Sequence, residues 1–160
     1  VTGSAAGPVA RLKERGETLA VAESLTGGLL AATIVDVPGA SAVFRGGLVV
    51  YATDLKSTLA GVPAQLLAAR GAVDPDVAVA LAKGARERCR ADWGLATTGV
   101  AGPDPQDGHP VGEVYVGIAG PDSVDVRRLT LAGDRPAIRA GSVTAALALL
   151  TDTLVSRRFA

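Results

Sequence analysis

Apolar and polar positions change rhythm several times along these 160 residues, and each change predicts an element. Pro8 to Arg15 reads as a short amphipathic helix stopped by Gly16. "TLAVAES" (18–24) is continuously apolar up to a polar end, the mark of a buried strand. Thr26 is placed to N-cap a helix over "GGLLAATIVDV", which Pro38-Gly39 ends. "GGLVVYA" (46–52) predicts a second strand. "TDLKSTLAGV" predicts a helical turn or two, and Pro63 starts another short helix, "PAQLLAAR". Asp74-Pro75 caps the longest apolar periodicity so far, with Val77, Leu81 and Ala85 on one face of a helix running to about Arg90. "WGLATTG" (93–99) is a third strand, followed by a Gly/Pro/Asp-rich loop, "VAGPDPQDGHPVG". "EVYVGIAG" and "DVRRLTLAG" form an antiparallel pair around Pro121-Asp122, and a last helix runs from about Asp134 to Ser156. No repeat, linker or low-complexity segment interrupts the pattern. It predicts a single α/β domain over 1–160 with its core at about 8–150, a three-layer α/β/α sandwich on a mixed sheet.

Composition narrows the class. Residues of apolar type make up 48%, enough for a real core in one domain of this length. No segment reaches the roughly 18 uncharged apolar residues of a membrane span, and no charged n-region with a following apolar stretch opens the chain. A soluble cytoplasmic protein with no membrane partner is the expectation. Sixteen basic residues balance sixteen acidic ones without a block of either sign, which argues against nucleic acid as a partner. A single cysteine, Cys89, and a single histidine, His109, exclude disulfide frameworks and multi-His or multi-Cys metal sites. Cys89 sits among Arg and Glu late in a helix and reads as inert; His109, beside Pro110, reads as an exposed loop histidine. The abundance of Ala, Gly and Val, and of Arg over Lys, carries little functional weight.

Three polar, glycine-rich junctions leave strands at their carboxyl ends, where open α/β sheets place their sites. They are Ser24-Thr26-Gly27-Gly28, Thr97-Thr98-Gly99, and Tyr51 running on to Lys56. Gly27 and Gly28 open a helix whose N-terminus favours negative charge, so they either cradle an anion or serve a plain cap. Ser24 precedes the cap and has no histidine near it in sequence. Lys56, one of three lysines in an arginine-rich chain, is the alternative base: burial lowers a lysine's pKa, whereas arginine stays charged. Otherwise Lys56 is a solvated helix residue like Lys13 and Lys83. Thr98 and Gly99 offer a hydroxyl and backbone N–H groups for an oxyanion, or simply the residues a turn requires.

"AESLTGG", "GGLVVYATDLK", "TTGVAGPD" and "HPVGEVYVGIA" together, in this order and spacing, resemble the CinA C-terminal domain family. The resemblance covers about Pro8 to Leu150. Family members with an assigned activity are nicotinamide mononucleotide deamidases of pyridine-nucleotide salvage, releasing ammonia and nicotinate mononucleotide without a metal. The resemblance therefore implies a Ser/Lys amidohydrolase with a small-molecule nucleotide substrate and no cofactor. By position, Ser24 matches the nucleophile and Lys56 its base, with Ser41 the alternative nucleophile. Tyr51, Ser41 and Thr98 match polar positions of the same site, and Arg139 a basic residue that meets substrate. Either Arg139 or the Gly27-Gly28 helix N-terminus would take the phosphate. Leu25 stands where many members have Cys, Ala40 replaces the first serine of a usual Gly-Ser-Ser, and Ala52-Thr53 replaces a common Ser-Asn. Two rivals follow from the same resemblance: a non-catalytic nucleotide- or protein-binding domain linked to competence or DNA damage, and an amidase for another small amide. A neutral, apolar-rich domain of this size is also expected to form a homo-oligomer.

Overall fold

The computed structural model describes residues 5–156, so the first and last four residues of the expected 1–160 domain lie outside it. Five strands form one mixed sheet in the order β2-β1-β3-β4-β5. They are β1 (Leu19–Glu23), β2 (Phe44–Val49), β3 (Trp93–Gly99), β4 (Glu113–Ala119) and β5 (Val124–Thr130). β1 pairs in parallel with both β2 and β3, whereas β3–β4 and β4–β5 are antiparallel. The helices are α1 (Ala6–Arg15), α2 (Leu29–Val35), α3 (Thr53–Thr58), α4 (Ala64–Arg70), α5 (Pro75–Arg88) and α6 (Arg135–Ser156). α1, α2 and α6 cover one face of the sheet; α5, with α4 beside it, covers the other.

The two faces are built differently. Toward α1, α2 and α6 the strands present large side chains, among them Leu19, Val21, Leu95, Val116 and Ile118. Toward α5 they present Ala20, Ala22, Ala96 and Ala119, with Gly94 and Gly117 between. A methyl group at Gly94 would stand 1.9 Å from the Ala82 carbonyl oxygen, so α5 lies against the backbone of β3 itself. Alanine and glycine abundance, weightless as a functional signal, is thus a packing requirement of this face. α6 has the length and hydropathy of a membrane span, but 44% of its apolar window is buried inside the domain, and it acts as a core helix.

Most expected elements stand within a few residues of their predicted limits. Asp74 caps α5 by accepting from the backbone N–H groups of Asp76 and Val77, with Pro75 at the first helical position. Gly16 ends α1 in the left-handed conformation. The second strand starts earlier than expected, at Phe44, because its pairing with β1 begins there and ends at Val49. A 3-10 turn, Ala40–Ala42, precedes it.

Thr26 is not the cap of α2, which begins at Leu29 after Gly28. The Thr26 hydroxyl is turned to that of Thr97, 2.8 Å away and fully buried. Gly27 and Gly28 both have positive φ (57° and 105°), the conformation that glycine adopts without strain. Glu23 takes over the capping. Its carboxylate, at the end of an all-buried strand, accepts from the N–H groups of Gly28, Leu30 and Ala31 at 2.8–3.2 Å.

Candidate active site

β1, β2 and β3 are mutually parallel, so their carboxyl ends lie along one edge of the sheet. The three polar junctions meet there around a cavity of about 320 Å³, a volume typical of small-ligand sites. Ser24, Tyr51, Lys56, Thr98 and Gly99 all line it.

Ser24 sits one residue beyond β1. Its N–H still donates to the Thr97 carbonyl at 3.1 Å, and its own carbonyl accepts from Gly27 N–H at 3.1 Å. The backbone is held on both sides while the side chain faces the cavity. From Val50, whose N–H donates to the Glu23 carbonyl, the chain turns through Tyr51 into the short α3. Lys56 lies in the middle of that helix and points back toward β1. Its Nζ is 3.0 Å from Ser24 Oγ, 2.8 Å from the Val50 carbonyl oxygen and 3.2 Å from that of Tyr51.

Lys56 is 1% exposed, and among the described residues no carboxylate lies within ion-pair distance of it. Burial without a counter-charge lowers its pKa from the ordinary 10.5 to about 8. Two of the three neighbours of Nζ are carbonyl oxygens, which only accept. They fix two N–H bonds of the amine, and the remaining tetrahedral position faces Ser24 Oγ. In the neutral amine that position is a lone pair aimed at the serine hydroxyl. A hydroxyl and an amine in this relation have the geometry that a nucleophile and its general base require.

The other expected site residues divide. Tyr51 is at the mouth, 61% exposed, and its hydroxyl accepts from Arg135 Nη2 at 3.0 Å. Thr98 lines the cavity, but its hydroxyl donates to the Ala72 carbonyl at 2.6 Å, so its proton is engaged in holding the facing wall. Gly99 lies two residues past the end of the β1–β3 pairing, which stops at Glu23–Thr97. Val100 donates to the Glu113 carbonyl on β4, so by strand alternation the Gly99 N–H points the other way, to the β1 side of β3. Thr26, Gly27 and Gly28 stay behind the site, and Glu23 already occupies the helix N-terminus where an anion was expected. A second anion there would meet its carboxylate.

Ser41 is exposed on the 3-10 turn beside Phe44 and does not line this cavity. Arg139 also stands apart: its guanidinium donates to the carbonyls of Leu25 (3.0 Å) and Thr26 (2.9 Å), bracing the turn behind Ser24. Arg135, one helical turn earlier, is the arginine in the cavity wall. It spans the mouth between the Tyr51 hydroxyl and the Gly102 carbonyl. The resemblance pointed to Arg139 and passed over Arg135, which shares its helix face four positions earlier. His109 is not simply an exposed loop residue: its ring bonds the buried carboxylate of Glu113.

Known proteins resemble this chain in both sequence and shape. A CinA-like protein of Frankia casuarinae is 57% identical over 143 residues, 89% of this chain and 33% of that protein. A putative competence-damage inducible protein of Geobacillus kaustophilus is 53% identical over 81% of this chain and 31% of its own length. The chain thus spans about a third of the curated relatives it matches. The crystal structure of a competence-damaged protein (CinA) superfamily protein from Klebsiella pneumoniae superposes with a TM-score of 0.93 at 29% identity, covering 97% of this chain and 98% of that one. A competence/damage inducible protein from Agrobacterium tumefaciens gives 0.91 at 33% identity, covering 96% and 94%. Residues 3–154 match the CinA C-terminal domain, and the chain belongs to that family.

Proposed function

We propose that this domain is an amidohydrolase that converts nicotinamide mononucleotide to nicotinate mononucleotide and ammonia through a Ser24/Lys56 dyad, with no metal required. The observation that carries the reading is the buried, uncompensated Lys56 amine 3.0 Å from Ser24 Oγ. A binding domain has no use for such a pair, and burying an unpaired amine works against stability. The substrate assignment rests on the family resemblance.

In this mechanism neutral Lys56 takes the Ser24 proton as Oγ attacks the carboxamide carbon. Carboxamide oxygen becomes an oxyanion, held by the Gly99 N–H and by that of Leu25, the residue after the nucleophile. Gly27 N–H does not serve, because it is bonded to the Ser24 carbonyl. Lys56 returns the proton to the leaving nitrogen, ammonia departs, and an ester joins Ser24 to the nicotinoyl group. A water then gives a proton to Lys56 and attacks the ester. Return of that proton to Oγ releases the acid and restores the dyad. Arg135, at the mouth, binds the phosphate by exchanging its bonds to Tyr51 and Gly102 for phosphate oxygens.

Ammonia release from nicotinamide mononucleotide in EDTA, by the wild type and by Ser24→Ala and Lys56→Ala, tests the reading. A folded wild type without turnover would contradict it, and preference for a different amide would move the substrate. For Arg135→Ala the expected change is a KM higher by roughly 30-fold with kcat little altered, the size of a lost charge-assisted contact. An unchanged KM would remove Arg135 from phosphate binding.

A further inference from the structure

The loop after β3 makes one wall of the cavity: Gly102, Pro103, Asp104, Pro105 and Gln106 all line it. A wall of one glycine, two prolines and two polar residues outside the sheet needs something to hold its far end. At Gln106 the chain reverses. Gln106 and His109 exchange two backbone hydrogen bonds, of 3.1 and 2.8 Å, around Asp107 and Gly108, whose φ values are 50° and 80°. This is the two-residue Asp-Gly hairpin with both central residues left-handed, a rigid connection.

His109 then ties this hairpin to the sheet. Its Nδ1 bonds Glu113 Oε2 on β4, and the same carboxylate accepts from Tyr115 Oη (3.3 Å) and from Arg128 Nη2 on β5 (3.1 Å). Glu113 is 5% exposed, so its bonds have little competition from water. Its backbone also closes the loop, donating to the Pro110 carbonyl and accepting from Val100. The charged and polar groups of two strands thus converge on one carboxylate, and among the described residues the imidazole of His109 is the one loop side chain bonded to it.

We propose that His109 is a positioning residue: its bond to Glu113 latches the Gln106–His109 hairpin and so fixes the Gly102–Gln106 wall against which the substrate is held. His109 does not line the cavity, so it acts through the wall and not on the reacting atoms. The inference builds on the proposed deamidase site. Substrate binding, not chemistry, depends on the latch, because Ser24 is held at the end of β1 and Lys56 on α3, both outside this loop.

The test compares wild type with His109→Ala in steady-state kinetics on nicotinamide mononucleotide and in amide hydrogen exchange across residues 101–109. The expected result is a KM raised about tenfold with kcat within about twofold, the effect of a wall displaced from its productive place. Exchange across 101–109 speeds up while that of β1 is unchanged, and added imidazole, which fits the space the ring leaves, restores KM. Unchanged exchange would overturn the latch. Faster exchange with unchanged KM, or a fall in kcat at unchanged KM, would overturn the positioning role. If the wild type hydrolyses no amide, the proposed function fails by itself; exchange then still tests the latch, and calorimetric binding of the nucleotide replaces KM.

Discussion

The amine of Lys56 has three acceptors around it, and only the Ser24 hydroxyl among them can give a proton back. This asymmetry, with burial that lowers the pKa to about 8, suits Lys56 to the part of base in the proposed mechanism. At pH 7 a group with that pKa is about one-tenth neutral, against roughly three in ten thousand for an amine at 10.5. The sign of the pH dependence follows: in the proposed mechanism the neutral amine is the active form, so kcat/KM is expected to rise with pH, to be half-maximal near 8 and to level off above. A kcat/KM that stays flat between pH 6.5 and 9.5, or falls through 8, would contradict Lys56 as the base. At this scale the sequence supplied candidates rather than a choice. Ser24 and Lys56 were recognisable by resemblance, but Ser41 carried the same hydroxyl and only its place on the 3-10 turn separates it from the cavity. The resemblance pointed to Arg139 alone, and the backbone carbonyls of Leu25 and Thr26 occupy it, whereas Arg135 in the cavity wall went unnamed.

At the scale of elements, the turn from β1 into α2 is held by a residue that local rules pass over. A capping side chain is sought within the residue or two before the helix, where Thr26 stood. Glu23 reaches forward from the strand end instead, and the one available signal was a carboxylate closing an otherwise apolar, buried strand. Such a charge must find donors, and the nearest free ones are the N–H groups of the next helix. Replacing it by Gln keeps the shape but removes the charge and places an amide donor against those N–H groups. Glu23→Gln is expected to lose about 2 kcal/mol, or roughly 5 °C in Tm, by calorimetry. Activity should fall with it, since Ser24 is the next residue. A Tm unchanged within about 1 °C would show that the cap contributes little. By contrast the Asp74 cap, the β4–β5 hairpin and the helix–strand alternation were plain in the sequence, because each rests on contacts within a few residues.

For the molecule as a whole, the decisive fact is the direction of three strands. Ser24 and Lys56 are 32 residues apart, and periodicity along the chain does not say which strands neighbour one another. The parallel order β2-β1-β3 puts the ends of all three on one edge, and the site is the product of that topology. The alanine and glycine face that lets α5 lie against β3 belongs to the same scale, since only the assembled layers show why those residues are small. The reaction proposed for that site is hydrolysis of the carboxamide of nicotinamide mononucleotide by Ser24 and Lys56 together. Ammonia release in the presence of EDTA, measured for the wild type, Ser24→Ala and Lys56→Ala, tests it most directly. Turnover by the wild type and its loss in both folded variants is the predicted result; turnover that survives either substitution would contradict the dyad.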